Sequence, residues 1–573
     1  MFLRLRPPFV DAFFGMAFYA LLAPLSATLS HAQNLPNAGS LQQQISRDRE
    51  TVAPKEIQAT DLPKVEAQKR SGGPKITVKA FKFVGNHLLD DVILKAETES
   101  FRGRLIDFSE LEAAASAVAE FYRSKGFIAR STLPPQDIKE GVVTIEIVES
   151  IFGKAIVEPY TGKRVDVDRI LKTIYAVQKS GEPLKLFDVD RALAQLADLS
   201  GVQIQGSLME GDGPGQTNLL VTLKDASAVS LDASSDNTGS RSTGPNRLLA
   251  NLGINSPMGL GDQFSINTMA SSGTQYLRLS ESMPLGYSGS KLGLNMSHMK
   301  YQLVTQDYAA LMAKGTADSV GLETSYPLIM SRQSSLSVLL GLEGKHLVNQ
   351  SQGTTASDYV SRLMNLSFSG SSLASSMSQT RSSYRLDLIG GQLDLSKSAN
   401  QSADANTTKT AGSFNKVKYF ISRDQDIGRG FSFYSSLNGQ WANKNLDSSE
   451  KFYLGGIYGV RAYPSNEASG ALGQLANLEI RSRWGQFHTL SAFYDYGRVL
   501  INPLNDYSGA LALNRYALRG YGFSYAYSTS DGATIKATLA RRIGNNPNPT
   551  TVGNDQDGSM VKNRLWLNAS LPF

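Results

Sequence analysis

In the stretch KFYLGGIYGVRAYPSNEASG, Lys451 to Gly470, Arg461 is the only charge between Lys451 and Glu467, set among glycines and apolar residues. A guanidinium in such company needs an anion, and its planar fork suits a carboxylate. Further along, AFYDYGRV (Ala492–Val499) reads as a strand with Asp495 set among aromatics. The phrase around Arg461 is too long and glycine-rich for a strand, so it reads as a large loop able to fold back and offer Arg461 to Asp495. Once such a pair is partly dehydrated, removing one member leaves the other uncompensated, at roughly 3–5 kcal/mol. The pair would then act as a latch that decides where the loop sits. Spacing alone leaves a second arrangement open, with Arg461 in a solvated external loop and Asp495 at a strand end.

Little else in the chain suggests bond-making chemistry. There is no GxSxG, no HExxH and no GxxxxGK[ST], cysteine is absent, and the five histidines (His31, His87, His298, His346 and His488) are scattered. An enzyme is therefore disfavoured, and no cofactor, metal or ATP site is expected. The net charge of +6 is spread along the 573 residues with no dense Lys/Arg block, so nucleic acid is not an expected partner.

The elements that must position the pair come in three textures. Residues 1–32 read as a cleaved export signal: Arg4 and Arg6 precede an apolar stretch, and Ser30-His31-Ala32 supplies small residues for cleavage. Residues 33–75 form a leader in which SLQQQISRDRE, with Leu41 and Ile45 one helical turn apart, can make a single helix. An extended Pro-rich linker follows it.

Residues 76–150 and 151–225 each read as a compact β-α-α-β-β unit. In the first, KITVKAFKFVG alternates with Ile76, Val78 and Ala80 on one face. Its helix FSELEAAASAVAEFYRSKG starts with a capping box at Ser109 and Glu112 and stops at Gly126. In the second, the helix FDVDRALAQLADLSG is opened by Asp188 and closed by Gly201.

From residue 226 to 573 helical periodicity vanishes and short alternating segments recur. Leu248, Ala250, Leu252 and Ile254 share a face, as do Leu336, Val338, Leu340 and Leu342, and Ile535, Ala537 and Leu539. Strands with one apolar face suit a soluble sheet or a lipid-facing barrel. Long polar inserts favour the barrel, and so does the ending RLWLNASLPF, where Leu565, Leu567, Ala569, Leu571 and Phe573 share one face. The 348 residues divide into sixteen strand-plus-loop units, an even number as expected for an outer-membrane barrel. A lone carboxylate such as Asp495 must then face the lumen, since lipid would penalise it by a few kcal/mol.

These features together resemble the TpsB transporters of two-partner secretion, the ShlB/FhaC/HecB family. The loop phrase Val460-Arg461-Ala462-Tyr463 is similar to that family's VRGY motif, and Phe493, Asp495 and Gly497 match its F-x-D-x-G strand motif. Two further stretches fit, LPPQDIKEGVVTIEIVES and DNTGSRSTGPNR (Asp236–Arg247). The resemblance implies a transmembrane β-barrel of sixteen antiparallel strands behind two periplasmic POTRA domains at 76–150 and 151–225. It implies a loop of about 445–475 folded inward, with Arg461 paired to Asp495, and a helix near Leu41–Asp48 that resembles the family's plug. The implied partner is a large secreted TpsA-type exoprotein, captured unfolded at POTRA sheet edges and moved without ATP.

Outer-membrane lipid would surround the barrel. The ending with Leu567, Leu571 and Phe573 resembles the signal read by the barrel assembly machinery. The chain departs from the motif at Ala462, where glycine is usual; a positive φ there would strain alanine. A BamA-type insertase and a passive porin or solute receptor are the rival readings.

Overall fold

The structure is a computed structural model that describes residues 36–50, 75–331, 333–374 and 380–573. The export signal expected at 1–32 and the linker after residue 50 lie outside the described residues. What precedes the barrel is one helix, α1 (Ala38–Glu50), and two α/β units.

Each unit packs two helices on a three-stranded sheet. In the first, the central strand Val142–Glu149 runs parallel to Ala80–Val84 and antiparallel to Ala129–Thr132. The helices α2 (Asp91–Thr98) and α3 (Phe108–Ser124) cover it through Leu94, Leu111, Val118 and Tyr122. In the second, Gln216–Asp225 is central, parallel to Ile151–Val157 and antiparallel to Val202–Glu210. Ile170 and Ile174 of α4 (Val167–Val177) and Val189 and Leu196 of α5 (Leu186–Ala197) pack against Leu219 and Val221.

Three local expectations are corrected. The first strand does not run unbroken: Ile76–Thr77 pairs with Leu105–Ile106, and the chain breaks before Ala80–Val84. Val78 stays buried, and beyond the break the buried positions change parity, to Phe81 and Phe83 in place of Ala80. The capping box of α3 lies two residues earlier than Ser109/Glu112. Asp107 accepts from the Glu110 amide at 3.0 Å, and Glu110 accepts from the Asp107 amide at 3.2 Å. Helix α5 starts at Leu186 behind Lys185 with no side-chain cap, so Asp188 sits inside its first turn, where it faces the positive end of the helix dipole.

Sixteen antiparallel strands close the barrel. The first eight are β1 (Val229–Asp236), β2 (Arg247–Asn255), β3 (Gln263–Ala270), β4 (Thr274–Leu285), β5 (Ser290–Gln302), β6 (Lys314–Met330), β7 (Ser334–Ser351) and β8 (Thr354–Leu373). The rest are β9 (Arg381–Asp394), β10 (Gly412–Gly428), β11 (Phe431–Ala442), β12 (Leu472–Trp484), β13 (His488–Leu500), β14 (Arg515–Ser528), β15 (Thr534–Arg542) and β16 (Asn563–Pro572).

Alternation sorts the two faces. Leu340 and Leu342 of β7 are exposed outward, while Lys345 and Leu347 of the same strand are buried in the lumen. On β16 the expected apolar face (Leu565, Leu567 and Leu571) points outward and Trp566 points in. Among the described residues no helix is long and apolar enough to cross a membrane; the strands do the spanning.

The second α/β unit sits on the barrel's inner end. Ser256 Oγ, in the β2–β3 turn, donates to the Arg164 carbonyl (2.6 Å), Arg191 donates to the Tyr326 hydroxyl (3.1 Å), and Gln195 donates to the Ser288 carbonyl (2.9 Å). The barrel closes between β1 and β16 over five paired positions, against eight or more at every other junction. Beyond those five, Asn237 continues the ladder with its side chain: Nδ2 donates to the Leu565 carbonyl (3.0 Å) and Oδ1 accepts from the Leu567 amide (2.8 Å).

The cap assignment is testable. Asp107→Ala lowers the urea midpoint of the α/β units, followed by helical circular dichroism, while Ser109→Ala leaves it unchanged. The opposite ranking would return the cap to Ser109.

Candidate functional site

The loop between β11 and β12, residues 443–471, enters the barrel from its outer end and fills part of the lumen. A two-residue hairpin, Phe452–Tyr453 against Ser469–Gly470, forms its stem. Val460, Ala462 and Tyr463 at its tip are buried against Leu475, Phe493, Val499, Leu518 and Ala540 of the β12–β15 wall.

Arg461 points at that wall and is held from four sides. Its Nη2 lies 2.6 Å from Asp495 Oδ1, its Nε 2.9 Å from Asp495 Oδ2, and its backbone N–H donates to the same Oδ2 at 3.0 Å. Nη1 reaches Glu479 Oε1 of β12 at 2.6 Å. The guanidinium lies 3.5 Å above the Phe493 ring, and its backbone carbonyl accepts from Trp566 Nε1 at 2.8 Å. Asp495 is 0% exposed and also accepts from Asn477 Nδ2 at 2.7 Å. Burial works against the arginine's charge, but Asp495 and Glu479 outweigh it and hold the guanidinium above its ordinary range.

The three F-x-D-x-G residues thus have distinct physical tasks, all on the inward face of β13. Phe493 offers a ring, Asp495 the counter-charge, and Gly497 space: a Cβ there would stand 2.6 Å from the Leu454 side chain. Ala462 does not adopt positive φ; in this loop the left-handed residues are Gly456, Asn466 and Ala468. Its methyl instead needs room on β14, and Gly520 provides it, since a Cβ on Gly520 would lie 2.6 Å from that of Ala462.

Several functional contacts escaped the sequence reading. Glu479 and Asn477 share the inward face of β12 beneath outward Leu478 and Ile480, so strand alternation was the available signal. Glu450, at the loop's base, is buried and paired with Lys416 of β10 at 2.6 Å and Lys345 of β7 at 3.1 Å. Burial alone would raise its carboxyl, yet the two ammonium groups dominate and bring it down to about 2. Glu467 is treated the opposite way. It is buried with, among the described residues, only Asn546 Nδ2 (2.7 Å) and the Gln556 amide (2.8 Å) as donors, and burial pushes it up to about 7.

Helix α1 occupies a second part of the lumen. Leu41 and Ile45 pack with Tyr276, Met299, Leu347 and Tyr359 of the wall. Arg47 Nη1 donates to the Tyr453 and Gly455 carbonyls of the loop (3.2 and 3.0 Å), and Asn466 donates to Gln44 (3.1 Å). Asp48 accepts from Arg247 of β2 at 2.7 Å, and Arg247 in turn holds Asp236 of β1 at 2.9 Å. Below the loop tip a polar cavity of 810 Å³, lined by Ser337, Ser369, Ser422, Asn438 and Arg481, opens toward the inner end. Among the described residues no group of three or more His, Asp or Glu is arranged to hold a metal ion.

The arrangement of barrel, inward loop and paired α/β units has relatives. Residues 215–513 match the family model for the haemolysin secretion/activation protein ShlB/FhaC/HecB, and residues 76–150 match the POTRA domain, ShlB-type. The chain belongs to the ShlB/FhaC/HecB family. The heme/hemopexin transporter protein HuxB of Haemophilus influenzae is 24% identical over 457 residues, 78% of this chain and 80% of that one. The outer membrane transporter CdiB of Dickeya dadantii is 23% identical over 70% of this chain and 71% of its own. Among solved structures, CdiB from Escherichia coli superposes with a TM-score of 0.68 at 17% identity, covering 95% of this chain and all of that one. The protein is therefore an outer-membrane transporter of the two-partner secretion type. Its POTRA domains lie in the periplasm, and the loop enters from the cell surface.

The Ala462–Gly520 contact gives a two-residue test. Gly520→Ala destabilises the docked loop by about 1–3 kcal/mol through overpacking. Ala462→Gly in the same chain restores it, as read by protease resistance of the loop in membrane vesicles. No rescue in the double variant would mean that the two positions do not compete for space.

Proposed function

We propose that this chain is the pore through which one large, unfolded exoprotein crosses the outer membrane, with Arg461 and Asp495 as the latch of the loop that fills it. The observation that carries this reading is the way the lumen is filled. Loop 443–471 and helix α1 are attached to the wall by ion pairs, hydrogen bonds and apolar side-chain packing, not by strand ladders, so both can leave without unravelling the barrel. The free edges of the two POTRA sheets can take an extended strand of the partner through main-chain hydrogen bonds, which require no particular sequence. The sequence has no ATP-binding motif, so the direction of transport comes from the partner folding outside.

The tests compare wild type, a deletion strain, and Arg461→Ala at unchanged outer-membrane level. The expected result is loss of one large exported protein in both the deletion and the variant. Left with Asp495 buried and without its cation, while Glu479 keeps Arg481 at 2.8 Å, the variant loop is less firmly docked by roughly 3–5 kcal/mol. An unchanged secreted set with altered solute uptake would favour a passive porin. A general loss of outer-membrane barrels would favour a BamA-type insertase, for which the short β1–β16 seam is the structural argument.

Helix α1 acts as a plug in this scheme. Removing residues 36–50 raises the conductance of the reconstituted channel, and an unchanged conductance would assign the helix a purely structural role.

A further inference from the structure

The lipid-facing side of the barrel has a feature that secretion does not use. Arg498 on β13, Arg515 and Arg519 on β14, and Arg541 on β15 are all exposed and point away from the lumen; the residues beside them, Val499, Leu518 and Ala540, are buried inside. The strand register orders them. Arg519 stands opposite Tyr496, Arg541 opposite Tyr521, and Tyr521 opposite Tyr494. Arg498, Arg519 and Arg541 therefore sit on successive strands, each displaced by one outward-facing position from the last, while β14 carries Arg515 as a second arginine at its end. That staircase runs with the strand tilt and brings the three to a common level.

Tyr494, Tyr496 and Tyr521 beside and beneath them belong to an aromatic belt that marks the membrane–water boundary. Arg498, Arg515 and Arg519 lie near the ends of their strands that face the cell surface, so the boundary is that of the outer leaflet.

These cations lack counter-charges. Among the described residues none of the four forms an ion pair: Arg498 donates to Gln474 Oε1 (3.0 Å), and Arg519 lies over the Tyr496 ring (5.7 Å). On the opposite wall two outward histidines are matched within the protein, His298 with Asp318 at 2.6 Å and His346 with Asp358 at 2.8 Å. Guanidinium groups at a lipid boundary with no carboxylate beside them are complementary to phosphate, which their planar fork binds with two parallel hydrogen bonds. Strands are about 4.8 Å apart and each step also shifts the arginine by two residues, about 6.6 Å along the strand, so the backbones of Arg498 and Arg541 stand roughly 16 Å apart. That span exceeds a single phosphodiester and suits a headgroup carrying two phosphates.

We propose that Arg498, Arg519 and Arg541, with Arg515 at the rim, form a binding site on the outer surface of β13–β15 for the phosphorylated disaccharide of an outer-leaflet glycolipid, lipid A. The site lies on the lipid side of the same strands whose lumenal side holds Phe493, Asp495 and Gly520.

The test uses the purified full chain titrated with bisphosphorylated lipid A, with lipid A stripped of its phosphates, and with phosphatidylglycerol, reading retained lipid by native mass spectrometry. The triple variant Arg498→Gln/Arg519→Gln/Arg541→Gln retains bisphosphorylated lipid A at least about tenfold more weakly than wild type. Arg362→Gln, an exposed arginine of β8 on the opposite wall, retains it normally. Heat-modifiable migration reports that each barrel has folded. If the triple variant does not fold, Arg519→Gln alone carries the test, with weaker retention expected. Unchanged retention in the folded variant overturns the proposal. So does wild-type retention of the dephosphorylated lipid, or of phosphatidylglycerol, as tight as that of bisphosphorylated lipid A.

Discussion

A guanidinium removed from water must find its full set of acceptors, and that requirement on Arg461 organises the lumen. Two carboxylates from adjacent strands, Asp495 and Glu479, supply the charge, and Phe493 supplies a face for the planar cation to lie on. Because the backbone N–H and carbonyl of Arg461 are also engaged, by Asp495 and by Trp566 across the barrel wall, the fit fixes the loop's main chain as well as one side chain. The small residues around it follow from the same demand. Gly497 and Gly520 are absences of side chain on the wall that let the tip approach closely enough for these short bonds.

The loop is held at two places by charges of opposite sense. Its tip brings a cation to acidic β12 and β13, and its base brings Glu450 to basic β7 and β10. Helix α1 lies between them and touches both the loop, through Arg47 and Gln44, and the first two strands, through Asp48 and Arg247. Loop, helix and the β1–β2 corner therefore form one bonded set. The corner also carries Asn237, which extends the narrow seam by side-chain mimicry of a strand.

Much of this architecture was legible in the chain. Period-two alternation in runs such as Leu336–Leu342 and Leu565–Leu571 gives the lipid face directly, and the sixteen strands follow from length. The motif residues Arg461 and Asp495 stand out because each is a lone charge among apolar neighbours. Local details failed where a competing signal lay close by: Asp107 precedes Ser109 and takes the cap, and the first strand breaks at Val78-Lys79. The anchors of Glu450 were invisible for a different reason. Lys345, Lys416 and Glu450 meet across the lumen from three distant parts of the chain, and an inward lysine on a barrel strand has no local mark that separates it from any solvated one. Helix α1 was similarly faint, since Leu41 and Ile45 are its whole apolar signature.

The inventory of charge in the two lumenal segments has an electrical consequence. Loop 443–471 contains Lys444, Lys451 and Arg461 against Asp447, Glu450 and Glu467, three positive and three negative, for a formal sum of zero. Helix α1 contains Arg47 and Arg49 against Asp48 and Glu50, again zero. A segment that carries no net gating charge does no net electrical work when it moves through a potential difference. The ion-exclusion potential across the outer membrane, which changes with the salinity of the surroundings, therefore exerts no first-order pull on either segment. With Glu467 ionised the closed state is held by contact chemistry alone, whereas its protonation near pH 7 leaves the loop with one positive charge on which the voltage can act.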